Sequence, residues 1–216
     1  MKGYIYLILL IFMLFIIYKG FKDNIKKSPH KIKIISSFVF IIMGIRYLTL
    51  IIFFFMGNIR YLYLLKGSYF LNFISIPLIG LITIYIVMRD YKVKFSYIFP
   101  LTIVLSIIYG FIIYKYPAII KADILYGYYM HFEKIPYLYI IYMVINVLFI
   151  VITMNIYKSN LDKKNIILII SSSVISILEA MMFLIGYGIF IELVIGDIVW
   201  ILTLDYGISK LRRTGK

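Results

Sequence analysis

Seven apolar runs of about twenty residues follow one another along this chain, with only short polar joints between them. No other feature restricts the fold as much. As a helix, each run is long enough to cross a hydrocarbon core of about 30 Å. The expected spans are 3–19, 34–56, 69–88, 97–114, 137–157, 165–185 and 189–207. In lipid an open strand edge leaves backbone groups unsatisfied at several kcal/mol each, which favours helices. Closed barrels instead show short strands of alternating polarity, and these runs do not alternate. The expected fold is therefore an all-α, polytopic membrane bundle of about seven transmembrane helices. It is expected to occupy 1–216 as one membrane domain in the cell membrane, with no soluble domain.

Composition agrees with this reading. The chain is 64% apolar and 15% charged, against about 45–50% and about 25% for a soluble domain. The first run follows Lys2 but has no small-residue cleavage site and is succeeded by Lys19 and Lys22, so it reads as a helix rather than a signal peptide. The last two spans need a break, because one helix over 165–207 would be about 65 Å long, twice a bilayer. Gly186-Tyr187-Gly188 supplies the turn.

The basic residues orient the bundle. Segments 19–33, 89–96, 158–164 and 207–216 hold sixteen of the 23 lysines and arginines. Such a bias places them in the cytoplasm, with the amino end outside and the carboxyl end inside, an alternation that requires an odd number of spans. Lys2 at the external end runs against the bias. The net charge of +14 is thus accounted for by orientation and anionic headgroups, and no nucleic-acid partner is expected.

Several chemistries are absent. Without cysteine there is no disulfide, thiolate metal site or Cys nucleophile. His30 falls inside and His131 outside, so they cannot share a metal, and no HExxH motif occurs. Span seven has no lysine for a Schiff base. Val194-Ile195-Gly196-Asp197 lacks the first glycine of a Gly-x-Gly-Asp protease motif, and Asp205 follows Leu204 rather than tyrosine. No phosphate-binding glycine loop is present. A non-enzymatic protein without cofactor or metal is expected.

Ionisable residues deep in the membrane are where function is to be sought, since an unpaired charge at the bilayer centre costs about 2.5 kcal/mol or more. Counted from the cytoplasmic end, Arg46 in span two lies about 18 Å deep. Glu179 in span six lies at about 21 Å, Glu192 at about 22 Å and Asp197 at about 15 Å. Glu192 and Asp197 stand about 140° apart around one helix, so both are not expected to meet one guanidinium. Glu179 shares a face with Ser172 and Ser176 and is the first expected partner of Arg46; Asp197 is the second. Three readings stay open: an ion pair that pins helix packing, a ligand-binding or ion-coupling centre, and an arginine that snorkels alone.

A second polar set recurs at helical spacing. Thr102, Ser106 and Tyr109 mark span four, and Tyr139, Tyr142, Asn146 and Thr153 mark span five. With Asn72, they are candidates to line a polar cavity or to bond between helices. Pro77 and Pro100 are candidate kinks. The outer segment 115–136 carries Tyr126, Tyr128, Tyr129, His131 and Phe132, read as interfacial anchors, with a cap over a ligand cavity as the alternative.

In span number and orientation the chain is similar to the membrane sensing regions of some bacterial histidine kinases and to small sugar transporters with a Pro-Gln motif. No residue motif carries either likeness, and the chain contains no Pro-Gln pair. The leading expectation is a receptor-like or accessory module that binds a small-molecule or lipid ligand and signals to a separate membrane or cytoplasmic protein. The alternative is a small transporter or permease subunit using the intramembrane Arg, Glu and Asp residues.

Overall fold

The computed structural model describes residues 2–56, 58–88, 95–133, 135–156, 163–188 and 190–211. The basic residues Arg89, Lys92, Lys94, Lys134, Lys158, Arg212, Arg213 and Lys216, which bear on orientation, lie outside them. The described residues form seven long helices: α1 (Lys2–Lys27), α2 (His30–Phe55), α3 (Asn72–Met88), α4 (Ile98–Lys115), α5 (Ile135–Ile156), α6 (Lys163–Ile185) and α7 (Val194–Leu211). Short helical turns over 59–69 lead into α3. Six of these segments are long and apolar enough to cross a membrane. The seventh helix, α7, carries Asp197, Asp205 and Lys210 within 18 residues, and so lacks a purely apolar window.

Local chemistry sets several boundaries. Pro29 bars the helical conformation at the residue before it and separates α1 from α2 by only Ser28 and Pro29. Pro100 falls in the first turn of α4, where its missing N–H has no intrahelical partner to lose, so it is not a mid-span kink. Pro77 does lie inside α3. Helix α6 ends at Ile185 because Gly186 takes a φ of +86°. Tyr187 N–H then bonds the Met182 carbonyl (2.9 Å) and Gly186 N–H the Phe183 carbonyl (3.1 Å). This is the left-handed glycine cap that satisfies the last carbonyls of a helix. The Gly186-Tyr187-Gly188 break is where the sequence placed it.

Helix α3 is the most buried span and packs against α2, α4, α5, α6 and α7. Helix α7 packs against α1, α3 and α6, and α5 against α6. Close approach relies on small residues, as membrane helix packing generally does. A Cβ at Gly80 would stand 2.3 Å from the Phe149 ring. Helix α4 touches the bundle mainly through α3, and Ile103, Ile107, Ile108 and Phe111 project outward from it. Outward-facing side chains of this kind, spread over most helices, are suited to lipid. The chain is a multi-pass helical membrane protein.

The bundle has two distinct ends. At one, the segment between α4 and α5 forms an antiparallel hairpin, β1 (Ala118–Asp123) and β2 (Gly127–Phe132), with Lys121 opposite Tyr129 and Ile119 opposite His131. One hairpin face packs inward: Met130 and Phe132 are buried, and Phe132 stacks on Phe70 at 4.0 Å between centroids. The hairpin turn lies against Gly3 of α1 and against the backbone of Phe53 and Phe54 in α2. These aromatics therefore include core packing residues as well as interfacial ones. At the other end, Lys19 of α1 pairs with Asp205 of α7 at 3.4 Å, and the Asn24 amide donates to the Lys33 carbonyl and to Ser37. Asp205 is buried, at 8% exposed.

Candidate functional site

Arg46 projects from the middle of α2 into the bundle and is fully buried. The helix leaves it no path to water, so each guanidinium donor needs a protein acceptor. Nη1 binds the Asp197 carboxylate of α7. Nη2 reaches Glu192 Oε2 at 3.4 Å, and Nε donates to the Tyr69 carbonyl at 3.2 Å. The arginine is shielded from lipid and does not snorkel.

Both carboxylates have a second hydrogen-bond donor. Tyr47 O–H donates to Asp197 Oδ2 at 3.1 Å, and Tyr69 O–H donates to Glu192 Oε1 at 2.6 Å. The Tyr69 hydroxyl in turn accepts from the Met130 N–H of β2 at 3.0 Å. Tyr69 thus connects the arginine, Glu192 and the hairpin. Sequence reasoning did not single it out; the available signal was its place at the start of span three.

Two expectations about pairing are corrected. Glu192 and Asp197 do meet one guanidinium. The 140° argument fails because α7 begins at Val194, so Glu192 lies on the preceding non-helical segment. Glu179, expected as the first partner, makes no ion pair with Arg46. Its two oxygens accept the Ile195 and Gly196 N–H groups at 2.9 and 2.7 Å. These belong to the first turn of α7, whose N–H groups lack intrahelical acceptors and which carries about half a positive charge. Glu179 therefore caps the helix that carries Asp197. Gly196 permits this contact: a Cβ there would stand 2.8 Å from Ser176 Oγ and 3.0 Å from Glu179 Oε2.

The polar candidates divide. Asn146 accepts from Trp200 Nε1 at 3.2 Å and donates to the Tyr142 carbonyl. Ser172 shares a 2.7 Å hydrogen bond with Thr203. These contacts join α5 and α6 to α7. Tyr142 O–H, Ser176 Oγ and Asp197 Oδ1 are buried without a hydrogen-bond partner among the described residues. Asn72 is buried at the start of α3. Ser106 stands apart: it is half-buried on the peripheral α4 and bonds back to the Thr102 carbonyl. Tyr109 of the same helix bonds the Gly67 carbonyl. No group of three or more His, Asp or Glu side chains suited to a metal occurs among the described residues.

The centre is acidic. If Glu179 is balanced by the α7 amino end, Asp197 and Glu192 still face one guanidinium. An unbalanced buried carboxylate costs several kcal/mol, so the arrangement favours one proton, or one monovalent cation, in addition to the arginine. No protein-family model and no curated protein matches the chain.

Proposed function

We propose that this chain is a small transporter or permease subunit of the cell membrane, with no enzymatic role, in which the Arg46–Asp197–Glu192 centre takes up and releases one proton during transport. The carrying observation is an excess carboxylate beside a wholly buried arginine. Intramembrane ionisable clusters of this kind suit coupling and ion pathways. A purely structural pin would be served by one acid. The receptor-like reading draws on the basic loops for a partner surface, whereas the ion centre itself favours transport.

The same proposal includes seven crossings, with the hairpin end and amino terminus outside. In the cysteine-free chain, Lys121→Cys should label from outside in intact cells, and Lys26→Cys only after permeabilisation. The reverse pattern overturns the orientation.

Transport coupling is tested by a rapid pH step on proteoliposomes adsorbed to a solid-supported membrane. The wild type should give a transient charge displacement, lost in Asp197→Asn and Glu192→Gln. A wild-type signal no larger than that of empty liposomes overturns the proposal.

A further inference from the structure

The hairpin and the segment between α6 and α7 flank an open cleft of about 320 Å³ at the outer end of the bundle. That volume lies at the small end of ligand pockets, which run about 300–1,000 Å³. Strand register explains its chemistry. Lys121 sits opposite Tyr129, and His131 lies two residues along β2, so alternation puts all three on one hairpin face. That face lines the cleft, while Met130 and Phe132 on the other face pack into the bundle.

The walls are largely aromatic, with Tyr129, Phe183 and Phe190 among the lining residues. His131 stacks on Tyr129 at 5.9 Å, and its Nδ1 is shielded from solvent without a hydrogen-bond partner. Among the described residues that line the cleft there is no carboxylate, and Lys121 is the charged one. A cation would meet repulsion there with no counter-charge, whereas an anion would meet the Lys121 ammonium beside the His131 imidazole.

The cleft also lies next to the ion centre. Its lining includes Ile191, and Glu192 follows. Phe190 and Tyr126 both pack on Tyr6, at 5.9 and 5.4 Å between centroids. Two cleft-lining rings thus rest on the buried Tyr6 of α1.

We propose that this cleft is the outward-facing binding site for a small aromatic carboxylate, its anionic group held by Lys121 and His131 and its ring between Tyr129, Phe183 and Phe190. The role as a transport substrate site rests on the function proposed above; the binding chemistry does not.

The test is calorimetric titration of the full chain in nanodiscs with benzoate, benzamide and inorganic phosphate, against empty nanodiscs. Benzoate should bind. Benzamide, Lys121→Gln and His131→Gln should each weaken binding by about tenfold, the equivalent of one charge-assisted hydrogen bond. Lys121→Arg should restore most of the affinity, and phosphate, which cannot use the aromatic walls, should bind worse than benzoate. The proposal is overturned if benzoate gives no heat above empty nanodiscs, if benzamide or phosphate binds as tightly, or if both variants bind benzoate unchanged. The pH-step measurement needs no benzoate. Charge displacement without benzoate binding removes the cleft proposal alone, and benzoate binding without charge displacement removes the transport role alone.

Discussion

Replacing Arg46 with methionine keeps the apolar stem volume and removes the guanidinium. Among the described residues, Asp197 would then keep the Tyr47 hydroxyl as its donor and Glu192 the Tyr69 hydroxyl. Breaking a buried ion pair by deleting one partner costs about 3–5 kcal/mol, because the other charge stays buried and uncompensated. The folded-to-unfolded ratio should therefore fall by roughly a hundred- to several-thousandfold. Trp200 provides the readout. It is the only tryptophan, fully buried on α7 three residues from Asp197, and packs edge-on against Phe149 of α5 at 5.6 Å. Its fluorescence during titration with a denaturing detergent should follow the loss of α5–α7 packing. Removing the whole charged set in Arg46→Met/Asp197→Asn/Glu192→Gln should recover much of the loss, since neutral replacement of a complete buried ion set is often harmless. An Arg46→Met midpoint equal to the wild type refutes the reasoning. So does a triple variant as unstable as the sum of its single changes.

Glu179→Ala should destabilise the fold by about 1–2 kcal/mol by uncapping α7, and Glu179→Gln by less, because its amide oxygen still accepts one N–H; the same detergent titration measures both. Gly196→Val should cost about 1–3 kcal/mol, since its side chain meets Ser176 and Glu179 in a packed interface, and an unchanged unfolding midpoint would contradict that packing. Burial, and then Lys121, holds His131 below its usual 6.5, so the imidazole is neutral at neutral pH. Lys121, Tyr126 and Tyr129 are the other titratable groups lining its cleft. Protonation as pH falls adds a second positive charge, so benzoate affinity measured by calorimetry should rise as pH drops below the usual histidine range and lose that rise in His131→Gln.

The helices were legible because continuous apolar runs admit few alternatives in lipid. Their ends shifted where local chemistry acted, as at Pro29, which lets α2 start at His30 rather than near residue 34. The members of the ion centre were legible too, since the cost of a buried arginine demanded acids at its depth. The pairing was not. It depended on where α7 begins, which freed Glu192 from helical spacing, and on the need of that helix for a cap, which took Glu179.

The hairpin was missed because its tyrosines and phenylalanine suit a membrane interface equally well. A usable signal lay at its turn. Asp123 accepts the Leu125 and Tyr126 N–H groups, and Gly127 takes a φ of +75°. An aspartate and a glycine between two runs rich in branched and aromatic residues is a strand–turn–strand pattern. Ser106 followed a correct periodicity on a helix that the bundle leaves at its edge; periodicity identifies a face, not what covers it.

The most direct measurement of the account is infrared difference spectroscopy on the reconstituted protein, between about pH 8 and about pH 5, spanning the usual physiological titration range. The account predicts a carbonyl band from a protonated, water-shielded carboxylic acid that changes with pH and is altered in Asp197→Asn or Glu192→Gln. A carboxylic band absent at both pH values, or identical in the wild type and both variants, would contradict the claim that this centre exchanges a proton.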